Sequence, residues 1–247
     1  MSIESPADWK GLTRAGRVAR LTLDALEAHA RPGVTTAELD AIAAALCKRH
    51  GARSAPALVY KFPGTVLISV NDEVVHGVPG PRVLRAGDVV KLDVTVERDG
   101  YIADAARTTI IGAQGDGTAR ALVTCAEAAF RAGTAVARAG TRVNEIGRAV
   151  ERVVRDAGFA VVDGLSGHGV GRTIHEPPQV PNVYDRWQRD VLTAGLVITI
   201  EPLICTGSGR CATAADGWTI RTRDRSLAAH YEHTLVVTDG APVLLTA

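Results

Sequence analysis

Four carboxylates stand out by where they fall in the sequence. Asp93 lies inside the apolar run Val89-Val90-Lys91-Leu92-Asp93-Val94-Thr95-Val96, and Glu201 inside Val197-Ile198-Thr199-Ile200-Glu201-Pro202-Leu203-Ile204. A carboxylate on a buried strand is costly unless it is paired, hydrogen-bonded or metal-bound. Either one alone is equally consistent with a strand end facing water. Asp99-Gly100 is a strong two-residue hairpin signal and, with that pair as the loop, Arg98 faces Tyr101, Thr95 faces Asp104 and Asp93 faces Ala106. Asp93 and Asp104 then share one face as diagonal neighbours, roughly 7–8 Å apart at Cα. Two like charges held that close need a cation between them. Glu232 opens the last apolar run, Glu232-His233-Thr234-Leu235-Val236-Val237, where a solvent-facing strand start is the alternative.

Histidines supply nitrogen donors and proton carriers. His168 sits in Gly164-Leu165-Ser166-Gly167-His168-Gly169-Val170-Gly171, whose glycines let backbone approach a ligand, His175 follows seven residues on, and His76 lies in the turn Val75-His76-Gly77-Val78-Pro79. For each of these taken singly, a hydrogen-bonded loop histidine is the plainer reading. His29, His50, His230 and His233 read as surface residues or as residues behind a site.

The elements that must position these groups follow from periodicity. Helical spacing over about Ala7 to Ala30 stops at Arg31-Pro32-Gly33; a second helix starts after Thr35-Thr36 with a capping box to Glu38 and runs to about His50. Strands are expected at Thr65–Val70, Val89–Val96, Ile102–Ile111, Phe159–Val162, Leu196–Ile204, Trp218–Thr222 and Thr234–Thr238, with helices at Ala119–Ala137 and Val143–Ala157. No linker divides the chain. An internal repeat organises it instead: Arg31-x-Gly33, Glu38-Leu39, Lys48 and Gly51 recur 107 positions later as Arg138-x-Gly140, Glu145-Ile146, Arg155 and Gly158, and Ala86–Asp93 recurs 108 positions later as Ala194–Glu201. The reading is one domain over 1–247 built from two copies of a unit, about 31–110 and 138–238. The repeat makes Asp93 and Glu201 equivalent, and a pseudo-twofold would turn both towards one shared site.

Composition narrows the partners. The chain has 247 residues, 28 Lys+Arg against 27 Asp+Glu, a net charge of +1 and 46% apolar residues. This balance offers no basic stripe for DNA or RNA and little attraction to anionic membranes. No apolar run approaches the roughly 18 residues of a membrane span, and the first residues carry no export pattern, so a cytoplasmic protein is expected. Cys47 and Cys125 stand apart; Cys205 and Cys211 are near enough for a loop disulfide or zinc knuckle, a minor alternative to free thiols.

The residues singled out so far recur together in one family. The chain resembles type I methionine aminopeptidases through Ser69-Val70-Asn71-Asp72-Glu73-Val74-Val75-His76-Gly77-Val78-Pro79, Asp93-Val94-Thr95-Val96, Asp104, Gly167-His168-Gly169-Val170-Gly171-Arg172, His175-Glu176-x-Pro178-Gln179-Val180, Thr199-Ile200-Glu201-Pro202, Asp216-Gly217-Trp218-Thr219 and Tyr231-Glu232-His233-Thr234. The match runs in order over nearly the whole chain, a far more specific signal than any one motif. It implies the duplicated pita-bread α/β fold, a central antiparallel sheet covered by helices.

The resemblance also implies roles. Asp93 would bind one metal through both oxygens, Asp104 and Glu232 would bridge two metals, and His168 and Glu201 would complete the other. The ions are divalent Mn, Fe, Co or Zn, since four carboxylates and one imidazole contain no thiolate to select a softer one. His175 would stabilise the developing oxyanion, His76 would position or protonate the departing nitrogen, and Glu201 would serve as general base for water. The substrates are then N-termini of peptides and nascent proteins, met by a monomer in transient contact with the ribosome through Arg and Lys on the N-terminal helices. Phe62 and Trp218 are expected pocket walls. The pocket departs from the family pattern at Val59, Leu67 and Ile174, which bears on first-residue preference and rate. A proline-selective, creatinase-like enzyme is the alternative within the fold, disfavoured because such chains usually carry an added N-terminal domain. A non-catalytic binding homologue would be expected to lose ligands and gain basic surface, neither of which is seen.

Overall fold

The computed structural model describes residues 1–112 and 117–247. In chain order its elements are α1 (Pro6–His29), α2 (Thr36–Arg49), β1 (Arg53–Ser54), α3 (Ala55–Tyr60), β2 (Leu67–Val70), β3 (Glu73–Val75), β4 (Val89–Arg98), β5 (Tyr101–Ile110), α4 (Gly117–Val136), α5 (Val143–Asp156), β6 (Ala160–Val161), β7 (Gly167–Gly169), β8 (Glu176–Val180), β9 (Val197–Ile200), β10 (Leu203–Cys205), β11 (Cys211–Thr213), β12 (Ile220–Thr222), β13 (Ala228–His230), β14 (Glu232–Val236) and β15 (Val243–Leu244). A central antiparallel sheet runs β1-β4-β5-β14-β9-β7-β8, with β2 also paired to β4 and β15 to β14. Two small three-stranded sheets, β13-β10-β6 and β11-β12-β3, flank it.

The expected hairpin register is the one found. Arg98 pairs with Tyr101, Thr95 with Asp104 and Asp93 with Ala106. Asp99 and Gly100 both take positive φ, 52° and 79°, as a type I′ turn requires. Helix α2 starts on the expected capping box, with Thr35 and Glu38 each bonding the other's backbone N–H.

The duplication is written in the backbone bonds. Gly33 N–H donates to Leu84 O at 2.9 Å and Leu84 N–H to Val34 O at 2.8 Å; 107 and 108 positions on, Gly140 N–H donates to Leu192 O at 2.9 Å and Leu192 N–H to Thr141 O at 2.8 Å. The isolated bridges Thr35 to Val83 and Arg142 to Val191 repeat the same correspondence. Each unit, together with the helix that precedes it, buries its own apolar cluster. Leu23, Leu26, Leu39 and Leu92 belong to the first, and Leu122, Ile146, Val150 and Ile200 to the second.

Two expectations need correction. The strand expected over Leu196–Ile204 is broken at Glu201-Pro202 into β9 and β10, which pair in different sheets, because proline cannot donate to a ladder. The glycine-rich segment around His168 is strand β7, not a loop. Its Gly169 is needed because a Cβ there would lie 2.3 Å from Pro177 O of the neighbouring strand. Cys205 and Cys211 are free thiols, as expected.

Candidate metal centre

The sheet brings the four carboxylates to one cavity of about 280 Å³, lined also by His76, His168 and His175. Asp93 on β4 and Glu232 on β14 both pair with Ala106 of β5, so the three form one row across the sheet. Asp104 lies two residues along β5, on the same face, and is held from both sides. Thr95 Oγ1 donates to its Oδ1 at 2.8 Å, and its backbone exchanges hydrogen bonds with Thr234 Oγ1 at 2.9 and 2.8 Å. Glu201 stands at the break after β9, where Thr199 Oγ1 donates to its Oε1 at 3.0 Å and Asn182 Nδ2 donates to its carbonyl at 2.9 Å. His168 on β7 donates from Nδ1 to Gly169 O at 2.9 Å, which leaves Nε2 to face Glu201 Oε1 at 3.4 Å.

All four carboxylates are withdrawn from water, and their charges repel one another. Burial, then the neighbouring carboxylates, push Asp93, Glu201 and Glu232 well above the usual range. Burial also raises Asp104, against the hydrogen bond from Thr95. Asp93 Oδ1 and Glu232 Oε1 are buried without any hydrogen-bond partner. Buried oxygens left unpaired and acid groups crowded together are the signature of a site shaped for cations. Donor atoms of Asp104, His168 and Glu232 lie within 4.8 Å of one another, and so do those of Asp93, His230 and Glu232. Glu232 belongs to both groups, so the residues fit two adjoining divalent ions.

The opposite wall comes from loops and the short helix α3. Tyr60, at the end of α3, bonds His175 Nδ1 through its hydroxyl at 2.6 Å, and the ring of His175 packs 4.3 Å from that of His168. Glu176 accepts the backbone N–H groups of Arg172 and Thr173 at 2.7 and 2.8 Å and pairs with the Met1 ammonium, which holds the His175 loop in place. Burial, then His168, lowers the His175 pKa; burial, then His175, lowers that of His76. Both rings are therefore neutral at pH 7. His76 has φ 60°, and the next residue must be glycine because a Cβ at Gly77 would lie 2.2 Å from Ile68 O. Phe62 and Trp218 meet edge to face at 5.3 Å, and with Leu67, Val75 and Ile174 they make the apolar part of the lining. Val59 is not in that lining: it is half exposed, and its neighbour Tyr60 takes the cavity position.

Several residues beside the site were not singled out from the sequence. Lys91 and Thr95 are on the Asp93 face of β4, which the two-residue period of a strand could have shown. The Lys91 ammonium is buried and donates to the carbonyls of Asn71 and Val89 at 2.8 and 3.3 Å; burial pulls its pKa down to about 7. His230 and His233, read as surface residues or as residues behind a site, are both buried, which leaves the second of these readings. His233 Nδ1 pairs with Thr246 Oγ1 at 2.9 Å, whereas burial depresses His230 to about 3.

Comparison with known proteins agrees with this geometry. The model of metallopeptidase family M24 matches residues 10–239. Methionine aminopeptidase 2 of Bacillus subtilis (strain 168) is 41% identical over 248 residues, covering 100% of this chain and 99% of that one. Among solved structures, a methionine aminopeptidase from Thermotoga maritima superposes with a TM-score of 0.96 at 31% identity, covering 100% of this chain and 99% of that one. One from Rickettsia prowazekii does so with a TM-score of 0.95 at 34% identity, over 100% of both chains. The fold is thus the duplicated pita-bread fold. With that fold, a family match over most of its length and a carboxylate-lined cavity fitted to divalent ions, the chain belongs to metallopeptidase family M24.

Proposed function

We propose that the protein is a dinuclear metal-dependent aminopeptidase that hydrolyses the first peptide bond after an N-terminal methionine. The observation that carries this reading is the convergence of Asp93, Asp104, His168, Glu201 and Glu232 on one cavity with an apolar, aromatic-walled end. Asp93 would hold one divalent ion, His168 and Glu201 would hold the other, and Asp104 and Glu232 would serve both. Mn, Fe, Co and Zn all suit this donor set. When bound, such ions supply a water acidic enough to attack a carbonyl at neutral pH, together with charge to anchor a free amine.

The protein's own groups do the rest. Glu201 takes up the proton of the attacking water; Thr199 occupies Oε1, so Oε2 is the receiving atom. With the Tyr60 hydroxyl donating to Nδ1 of neutral His175, the ring proton sits on Nε2, the form that can donate to an oxyanion. His76 orients the departing nitrogen and relays to it the proton that Glu201 took from the water, so that Glu201 ends ionised and His76 ends neutral, as each began the step. Phe62 and Trp218 receive the side chain of the first residue, and a thioether against two aromatic rings is a favourable contact. The reading places the enzyme in the cytoplasm as a monomer, working on nascent chains close to the ribosome.

Metal-free protein reloaded with each divalent ion and offered Met-Ala-x, Met-Lys-x and x-Pro peptides tests this. Metal-dependent release of methionine is expected. Preference for x-Pro, or no release from folded, metal-loaded protein, overturns it.

A further inference from the structure

His230 closes β13 and is 1% exposed, yet neither of its ring nitrogens has a hydrogen-bond partner. An imidazole left in that state is destabilising unless something other than protein takes up its lone pair. The backbone that carries the ring is pinned. His230 N–H donates to Thr108 Oγ1 at 2.8 Å, Thr108 Oγ1 donates to His230 O at 2.7 Å, and His230 pairs with Leu203 of β10.

The ring points at the carboxylates. Nε2 stands 3.3 Å from Glu232 Oε2 and 3.8 Å from Glu201 Oε2, and neither approach is a hydrogen bond. The first distance nearly equals the 3.4 Å between His168 Nε2 and Glu201 Oε1, a separation expected of two donors sharing one ion. On the same side of the site, Asp93 Oδ1 and Glu232 Oε1 are also unpartnered. Asp93, His230 and Glu232 bring their donor atoms within 4.8 Å of one another.

We propose that His230 is a direct ligand of the divalent ion held by Asp93 and Glu232, so that each of the two metal positions has one imidazole. This rests on the dinuclear reading above and deepens it. A nitrogen donor at both positions biases the centre towards Fe, Co, Ni or Zn and away from Mg and Mn, which prefer all-oxygen sites. His230 is thereby a determinant of which metal the enzyme uses.

The test uses the full chain labelled with ¹⁵N-histidine and titrated with zinc, read by the ring-nitrogen resonances, with bound zinc counted separately. Wild-type protein holding two zinc ions should show metal-induced shifts for both the His168 and the His230 rings. H230Q should lose one of these responses and bind cobalt and zinc at least about tenfold more weakly while its manganese affinity changes less. If H230Q does not fold, the assigned wild-type spectrum decides alone. Two bound zinc ions with no response from His230 overturn the proposal and leave the aminopeptidase reading standing. Absence of both metal binding and methionine release overturns both.

Discussion

The two walls of the cavity are built on different principles. The carboxylate wall is sheet: β4, β5 and β14 fix Asp93, Asp104 and Glu232 by ladder register and Glu201 directly follows β9, with Thr95 and Thr199 as donors behind them. The facing wall is loop and short helix, and its members are fixed by side-chain contacts such as Tyr60 to His175 and Phe62 to Trp218. Register cannot shift by one residue without turning every side chain to the other face, so the sheet wall is rigid in identity and position. The loop wall can change a residue at a time. On the proposed reading such a division would let hydrolytic chemistry stay constant while first-residue preference and rate vary at loop positions such as Ile174; Leu67, the other departure in the lining, belongs to β2 and pairs with Asp93 on the sheet side.

The largest expected effect comes from breaking the sheet wall. D104A removes a donor shared by the cluster and should lower turnover by more than the ~10²-fold that loss of an outer partner costs. The far-ultraviolet circular dichroism of the variant should match wild type. Full activity in D104A would mean that the wrong carboxylate has been assigned to the ions. T95V keeps the volume but removes the donor to Asp104 Oδ1, and calorimetry should show metal affinity reduced by about 10–100-fold.

The raised carboxyl groups set a pH dependence with a definite sign. Their folded-state pKa values exceed those of the unfolded chain, so above the ordinary carboxylate range the metal-free fold holds protons that the unfolded chain has released. Stability of the metal-free protein should therefore fall as pH rises through that window. Metal binding displaces the same protons, so affinity should rise with pH by about tenfold per unit for each proton displaced, and flatten once the groups ionise unaided. Titrations in buffers of different ionisation enthalpy count the protons; an affinity that falls with pH contradicts the assignment. The smallest effect belongs to the loop wall. Y60F deletes one hydrogen bond to His175, worth about 0.5–1.5 kcal/mol, and should lower kcat several-fold with KM little changed. Steady-state kinetics that instead showed KM rising alone would make Tyr60 a substrate contact.

The same contrast explains what could be read from the sequence. Asp99-Gly100 fixed a register by local turn chemistry, and from it the shared face of Asp93 and Asp104 followed. Constant spacing between Ala86–Asp93 and Ala194–Glu201 exposed the duplication, which the repeated bonds at Gly33 and Gly140 confirm. Pro202 marked the end of β9 and was passed over, because the apolar run continues through it. The strand around His168 was hidden by glycines that weaken strand propensity, although close approach of β8 requires one of them. Tyr60 and His230 were out of reach for another reason. Their positions depend on α3 meeting the His175 loop and on β13 meeting the sheet, and neither contact has a local signal.

The central claim is that hydrolysis at this cavity needs divalent ions held by the sheet wall. Titrating metal-free protein with cobalt while following methionine release from a Met-Ala peptide, with bound metal counted in the same samples, tests it most directly. Activity should appear with the first equivalents, reach a plateau by two, and vanish in D104A and in excess chelator. Methionine release that persists in chelator, with no metal bound, would contradict the account.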